Sequence, residues 1–276
     1  MIAFRTLGAA AAALFFTITA PAVADEFILL QSTTSTQNSG LYDHLLPQFE
    51  EKTGIQVRVV AVGTGQAIKN AGNCDGDLLL VHAKQAEEAF VREGGGKARH
   101  DVMYNDFVLV GPASDPTGVR DEEKVAPALR KIAQDGAAFV SRGDDSGTHK
   151  KELSLWGRTG VDPAASSGAW YRETGSGMGA TLNVAIGMEA YVLTDRATWI
   201  SFGNRAGHDI LLEGDPALFN QYGVVTIDPA HCPNIKQKSS QLFVDWLLGP
   251  DGQAAIAGFR LEGEQLFHPN AKNGDS

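Results

Sequence analysis

Phe27-Ile28-Leu29-Leu30-Gln31-Ser32-Thr33-Thr34-Ser35-Thr36-Gln37-Asn38-Ser39-Gly40 sets a short apolar run directly against a polar one. A brief apolar run bounded by turn residues reads as a buried strand. Leu41, Leu45, Leu46 and Phe49 then recur at helical spacing. Gly54 predicts the end of that helix, and Pro47 predicts a kink or split inside it, because proline removes one backbone N–H. The unit is strand, polar loop, helix.

Outward from this stretch the unit recurs. Ile55, Val57 and Val59 alternate as a second strand that runs into Val62-Gly63-Thr64-Gly65-Gln66 and another helix start. Leu78 to Val81 and Phe107 to Val110 are further strands, the latter ended by Gly111-Pro112. A helix over 121–134, the strand Ala138 to Val140, the polar loop 141–146 and a helix carrying Leu153, Leu155 and Trp156 repeat the design. After Trp170-Tyr171 come the glycine loop Glu173 to Gly179 and a helix with Leu182 and Ile186. Thr198 to Phe202 and Gly223 to Ile227 read as later strands. Leu242 to Leu247 and Ala254 to Phe259 read as helices covering the first part of the chain. Apolar strands alternating with helices predict an α/β class with a mostly parallel sheet covered on both faces.

Arg5, the apolar run Leu7 to Ile18 and Ala22-Val23-Ala24 form the charged, apolar and small-residue regions of a cleavable secretory signal over residues 1–24. Export to the periplasm is the expectation, with no lipid anchor because no Cys adjoins the cut after Ala24. Loss of the leader removes one positive charge, Arg5, and takes the formal net charge from −10 to −11. So acidic a chain does not attract nucleic acid or anionic lipid at long range. An anion site on it must work locally, through aimed N–H groups and one or two cations. Cys74 and Cys232 are the only cysteines. A disulfide between them and two buried free thiols are both open, whereas two isolated thiols predict no metal centre. The mature length fits one large core or two lobes. With a first crossing at Gly111-Pro112 and a return at Gly223, the lobes are residues 25–110 with 223–276, and residues 111–222.

Four polar segments fall at strand-to-helix junctions: Ser32 to Ser39, Gly63 to Gln66, Ser141 to Thr148 and Thr174 to Gly179. In a parallel α/β sheet such junctions lie at the carboxyl ends of strands, where ligands bind. Each offers unpaired helix N-terminal N–H groups and the positive dipole end. A single Ser/Thr loop is accounted for by ordinary capping. Four of them, one with five consecutive hydroxyl residues from Ser32 to Thr36, point to an oxyanion.

Ser141-Arg142-Gly143-Asp144-Asp145-Ser146-Gly147-Thr148-His149-Lys150 adds a guanidinium to a tight turn and a helix start. Arg142 can donate a planar pair of bonds to an oxyanion, and Ser146, Gly147 and Thr148 present N–H groups and hydroxyls. Asp144 and Asp145 are expected to cap the helix, hold Arg142 or face solvent. An Arg142–Asp ion pair at a surface turn is the plainer alternative.

These segments, with Met103-Tyr104-Asn105-Asp106-Phe107 and Glu173-Thr174-Gly175-Ser176-Gly177-Met178-Gly179, resemble the TupA-type tungstate-binding proteins of bacterial ABC transporters over nearly all of the mature chain. The resemblance implies a two-lobed type II periplasmic-binding-protein fold. It also implies a cleft that binds tungstate or molybdate, a membrane permease as partner, a monomer, and no cofactor or catalysis. It places Thr33, Thr34 and Ser35 in the first loop, Thr64 in the second, Arg142 with Ser146, Gly147 and Thr148 in the third, and Thr174 in the fourth. No metal ion is implied other than the one inside the oxyanion.

Three other readings compete. Phosphate-binding relatives carry a similar Arg-x-Asp-x-Ser-Gly-Thr stretch, and a protonated phosphate would need an acceptor such as Asp144 or Asp145. A secreted hydrolase would use Ser146 or Ser176 with His149 or His208, although no Gly-x-Ser-x-Gly elbow surrounds either serine. A sensor subunit of the same fold would share the whole cleft. His82, His100, His231 and His268 have no recognisable metal-ligand spacing and are assigned to core or solvent roles.

Overall fold

The computed structural model describes residues 26–272, so the secretory-signal expectation for residues 1–24 lies outside the described residues. The elements run in chain order as β1 (Phe27–Thr33), α1 (Thr34–Asn38), α2 (Leu41–Thr53), β2 (Gln56–Val62), α3 (Thr64–Gly72), β3 (Leu78–Val81), α4 (Lys84–Arg92) and β4 (Gly96–Pro112). Then follow α5 (Val125–Gln134), β5 (Phe139–Ser141), α6 (Gly147–Gly157), β6 (Tyr171–Glu173), α7 (Met178–Gly187), β7 (Tyr191–Asp195), α8 (Arg196–Ser201) and β8 (His208–Leu212). The chain ends with β9 (Phe219–Ile227), α9 (Gln237–Leu248), α10 (Pro250–Gly258) and β10 (His268–Pro269). The fold is mixed α/β.

The strands are ordered β2-β1-β3-β9-β4-β7-β5-β6, with β8 and β10 also paired to β4. β1 lies parallel to β2 and β3, and β5 lies parallel to β6 and β7. Between these two groups β4 and β9 run antiparallel to their neighbours. β4 is the axis of the molecule: it pairs with β9 through Asp106, then with β7 and β8 from Phe107 onward. One strand thus serves two sheets.

Among the described residues, four buried apolar clusters follow from this division, of which two are the largest. Ile28, Leu30, Phe49, Leu80 and Val224 pack with Phe243, Trp246, Leu247 and Ile256 from α9 and α10, so the C-terminal helices cover the first sheet as expected. Phe107, Leu129, Phe139, Trp156, Tyr171 and Tyr191 form the second core, with Phe139, Trp156 and Tyr171 in stacked and edge-to-face contact. Cys74 and Cys232 form a disulfide, which ties the end of α3 to the segment before α9. The second of the two alternatives, free thiols, is thereby removed.

Several expectations are corrected. Thr198 to Phe202 is not a strand: Thr198–Ser201 belongs to α8, capped by Asp195, which accepts from both the N–H and the hydroxyl of Thr198. An apolar run this short carries no period, so the cap decides it. Pro47 does not split α2, which runs unbroken to Gly54 in the left-handed conformation. The helix expected over 121–134 begins at Val125, after a 3-10 turn at Val119–Asp121. Leu153 faces outward instead of into the core. The strands β7 and β8 and the first half of β4 have no counterpart in the sequence reading, and β6 is implied only by the junction at Thr174.

Candidate functional site

The four polar segments are all junctions at carboxyl ends of strands: β1 to α1, β2 to α3, β5 to α6 and β6 to α7. Two of them meet across the boundary between the sheets. A Cβ at Gly147 would lie 2.7 Å from His82 Cε1 and 2.8 Å from Thr64 Oγ1, and one at Gly65 would overlap the Asp145 carboxylate. Glycine at these positions lets the second and third loops close on each other without intervening side chains.

Each predicted residue has a definite place. Thr33 caps α1, accepting from Thr36 N–H, and its hydroxyl lies 2.8 Å from Thr36 Oγ1. Ser35 Oγ is 3.1 Å from Thr33 Oγ1 and 3.2 Å from His82 Nε2. Thr34 is half-buried at the start of α1. Thr64 opens α3 and is wholly buried. Ser146 caps α6 by accepting from His149 N–H, leaving Gly147 and Thr148 as the first residues of the helix, whose N–H groups have no intrahelical acceptor.

Arg142 is 4% exposed. Its Nη2 donates to Asp144 Oδ2 at 2.5 Å, and Asp144 Oδ1 in turn accepts from Ser146 N–H at 3.2 Å. Burial raises the Asp144 pKa, but the Ser146 bond and the Arg142 charge outweigh it and hold the carboxyl below its usual range. Asp145, in the left-handed conformation, is exposed and pairs with Lys150. Two of the expected roles are therefore filled: Asp144 holds Arg142, and Asp145 faces solvent.

Among the described residues, three buried side-chain atoms of this cluster have no hydrogen-bond partner in the protein: Thr64 Oγ1, Arg142 Nε and Thr148 Oγ1. A buried polar atom left unpaired costs about 1–3 kcal/mol. Three gathered on two facing loops mark a place for a polar ligand rather than a packing fault. Thr174 differs. Its hydroxyl is 2.8 Å from Thr181 Oγ1, accepts from Ser176 N–H and lies 3.3 Å from the carbonyls of Ser141 and Arg142, so it braces the third and fourth loops from behind.

His82, assigned from sequence to the core or solvent, is buried in the site. Its ring touches Ser35 and Asn220, stacks on Tyr222 at 4.9 Å and approaches Gly147. Burial pushes its pKa down to about 4; the Asn220 bond works against this, and the charges of Arg142 and Lys151 add to it. The available signal was its position. His82 directly follows the apolar strand Leu78–Val81, a fifth carboxyl-end junction, without the hydroxyls or glycines that mark the other four.

The histidines considered for nucleophile activation are engaged elsewhere. His149 Nδ1 accepts from Asp145 N–H, and His208 lies against the carbonyls of Ala190 and Ala206. Ser176 Oγ donates to the Thr174 carbonyl.

Residues 17–251 match the family model described as the PBP superfamily domain. The TupA tungstate-binding protein of Peptoclostridium acidaminophilum is 48% identical over 248 residues, covering 88% of this chain and 86% of its own. This chain belongs to the TupA family of the PBP superfamily. Two solved structures agree with the TupA assignment. The tungstate-binding TupA of Desulfovibrio alaskensis G20 superposes with a TM-score of 0.78 at 50% identity, covering 90% of this chain and all of its own. The tungstate ABC transporter protein of Geobacter sulfurreducens gives 0.78 at 46%, covering 86% of this chain and all of its own.

Proposed function

We propose that this TupA-family protein is an exported periplasmic solute-binding protein. In this reading it captures tungstate, with molybdate as a close second, and delivers it as a monomer to the membrane permease of an ABC importer. The observation that carries the reading is the trio of unpartnered buried atoms on Thr64, Arg142 and Thr148, which belong to two loops that meet at Gly147. Thr33, Thr34, Ser35 and the N–H groups of Gly147 and Thr148 complete a donor set with a single full positive charge. Thr174 supports the loops. The names of the relatives agree with this ligand.

The lobes in this proposal are residues 25–110 with 223–276, and residues 111–222. The partner exchange of β4 after Asp106 and the start of β9 at Phe219 lie a few residues from these boundaries. The anion docks on one lobe, the other adds its helix-start donors, and hinge closure expels water. The protein acts by binding, without chemistry on its ligand.

Phosphate is disfavoured by the state of the two aspartates. Asp144 is already held by Arg142 and Ser146 N–H, and Asp145 is exposed and paired with Lys150, so neither is a dedicated acceptor for a protonated oxyanion. Titration calorimetry with tungstate, molybdate, sulfate and phosphate tests the assignment. Tungstate is expected to bind tightest, and tight phosphate binding without tungstate binding would overturn it.

A further inference from the structure

His82 sits at one end of a buried chain of polar groups that crosses the middle of the sheet. Its Nε2 is 3.2 Å from Ser35 Oγ and its Nδ1 is 3.1 Å from Asn220 Oδ1. Asn220 Nδ2 is 2.6 Å from Asn105 Oδ1, and Asn105 Nδ2 is 3.4 Å from the Tyr222 hydroxyl. Asn105 and Asn220 are cross-strand partners on β4 and β9, next to the point where β4 changes sheets. All five side chains are buried.

An uncharged imidazole has one N–H and one lone pair, and a carboxamide turned by 180° exchanges its donor and acceptor. The chain therefore has two self-consistent wirings. In one, Nδ1–H donates to Asn220, and the lone pair on Nε2 takes the Ser35 proton, so Ser35 shows the cleft only lone pairs. In the other, both amides are turned, Tyr222 O–H donates to Asn105, Asn105 donates to Asn220, and Asn220 donates to Nδ1. Nε2–H then donates to Ser35 Oγ, and the Ser35 proton is released. Among the described residues Thr33 Oγ1, 3.1 Å away, is the one protein oxygen in hydrogen-bond contact with the Ser35 hydroxyl, and a dianion is the stronger acceptor.

Resting on the oxyanion reading above, we propose that His82 is a positioning residue of the site. The described placement, with Asn220 Oδ1 toward Nδ1, is the first wiring. The bound dianion selects the second, in which the turned Tyr222–Asn105–Asn220 relay leaves the N–H on Nε2 and Ser35 gives its hydroxyl proton to the anion. A fully deprotonated anion is stabilised by only this wiring. His82 thereby helps the first loop favour such anions over protonated ones, although it need not touch the ligand itself.

Nitrogen-15 NMR of histidine-labelled protein loaded with tungstate reads the tautomer directly, with the His82 signals identified by their loss in His82→Gln. The Nε2–H form is expected; the Nδ1–H form or a doubly protonated ring would overturn the proposal. Calorimetry supplies an independent check. His82→Leu should weaken tungstate binding about tenfold, as expected for losing one bond supporting a charged acceptor, and His82→Gln should recover most of it. In a Ser35→Ala background His82→Leu should add no further loss, and independent, additive losses would overturn the proposal. Absence of tungstate binding by the wild-type protein would instead sink the oxyanion reading beneath it.

Discussion

Arg142 Nη2 stands 2.5 Å from Asp144 Oδ2, while Nε of the same buried guanidinium has no protein acceptor. The aspartate fixes the plane of the fork and leaves one edge for a ligand. Arg142→Ala should therefore lower tungstate affinity by about a hundredfold or more, since two charge-assisted bonds are each worth roughly 1.5–3 kcal/mol. Arg142→Lys should fall between, keeping charge but losing the fork. Calorimetry checks both, and unchanged affinity in Arg142→Ala would remove the third loop from the site.

Gly147 tests the contact between the two sheets. A Cβ there would meet His82 and Thr64 at distances that real side chains do not tolerate. Gly147→Ala should hold the loops apart and weaken binding about tenfold or more, in line with typical overpacking costs. The thermal midpoint of the ligand-free protein should change little. Small-angle scattering should show less compaction on adding tungstate than in the wild type.

Glu152 on α6 gives a pH prediction. Burial raises its pKa to about 7, against the bond it accepts from Tyr171 at 2.7 Å. The folded protein therefore holds a proton on Glu152 that the unfolded chain releases near the ordinary value of 4.5. Stability contributed by this group is complete below pH 4.5 and is lost as pH rises to about 7. Glu152→Gln should be more stable than wild type at pH 8 by at most about 3 kcal/mol, with the difference shrinking toward pH 4.5. Urea denaturation across that range measures it.

Cys74 and Cys232 are separated by 158 residues in sequence. A cross-link over so long a loop contributes up to about 5 kcal/mol through the unfolded state. Replacing both with serine should lower Tm by roughly 10 °C or more, while tungstate affinity below the transition stays near wild type. A calorimetric scan paired with a titration separates the two effects.

The α/β class and three of the four junction loops were legible because β1, β2 and β5 are short, largely apolar runs that end in Ser, Thr or Gly, whereas β6 is Tyr-Arg-Glu and only the polar loop after it stood out. Gly54, Thr64 and Ser146 ended or began helices where their chemistry predicts. β7 escaped notice because Tyr191 to Asp195 follows Ala190 without a break in composition, and β4 because Lys97, Arg99 and Asp101 interrupt its first half with charge. Glu87 on α4 and Arg99 form a buried ion pair there, a compensation with no local signature. His82 was missed for a similar reason: its partners Ser35 and Asn220 lie 47 and 138 residues away. The orientation of Asp144 toward Arg142 was among the foreseen options because the two are only two residues apart.

The meeting of Gly147 with Thr64 and His82 makes the cleft a calliper. Backbone on one jaw comes against side chains on the other with no compliant atoms between them. In the proposed closure, an anion slightly too large stops the jaws short, and one too small leaves the orphaned hydroxyls unserved. On that proposal the permease needs no view of the ligand, since the width of the jaws reports what lies inside.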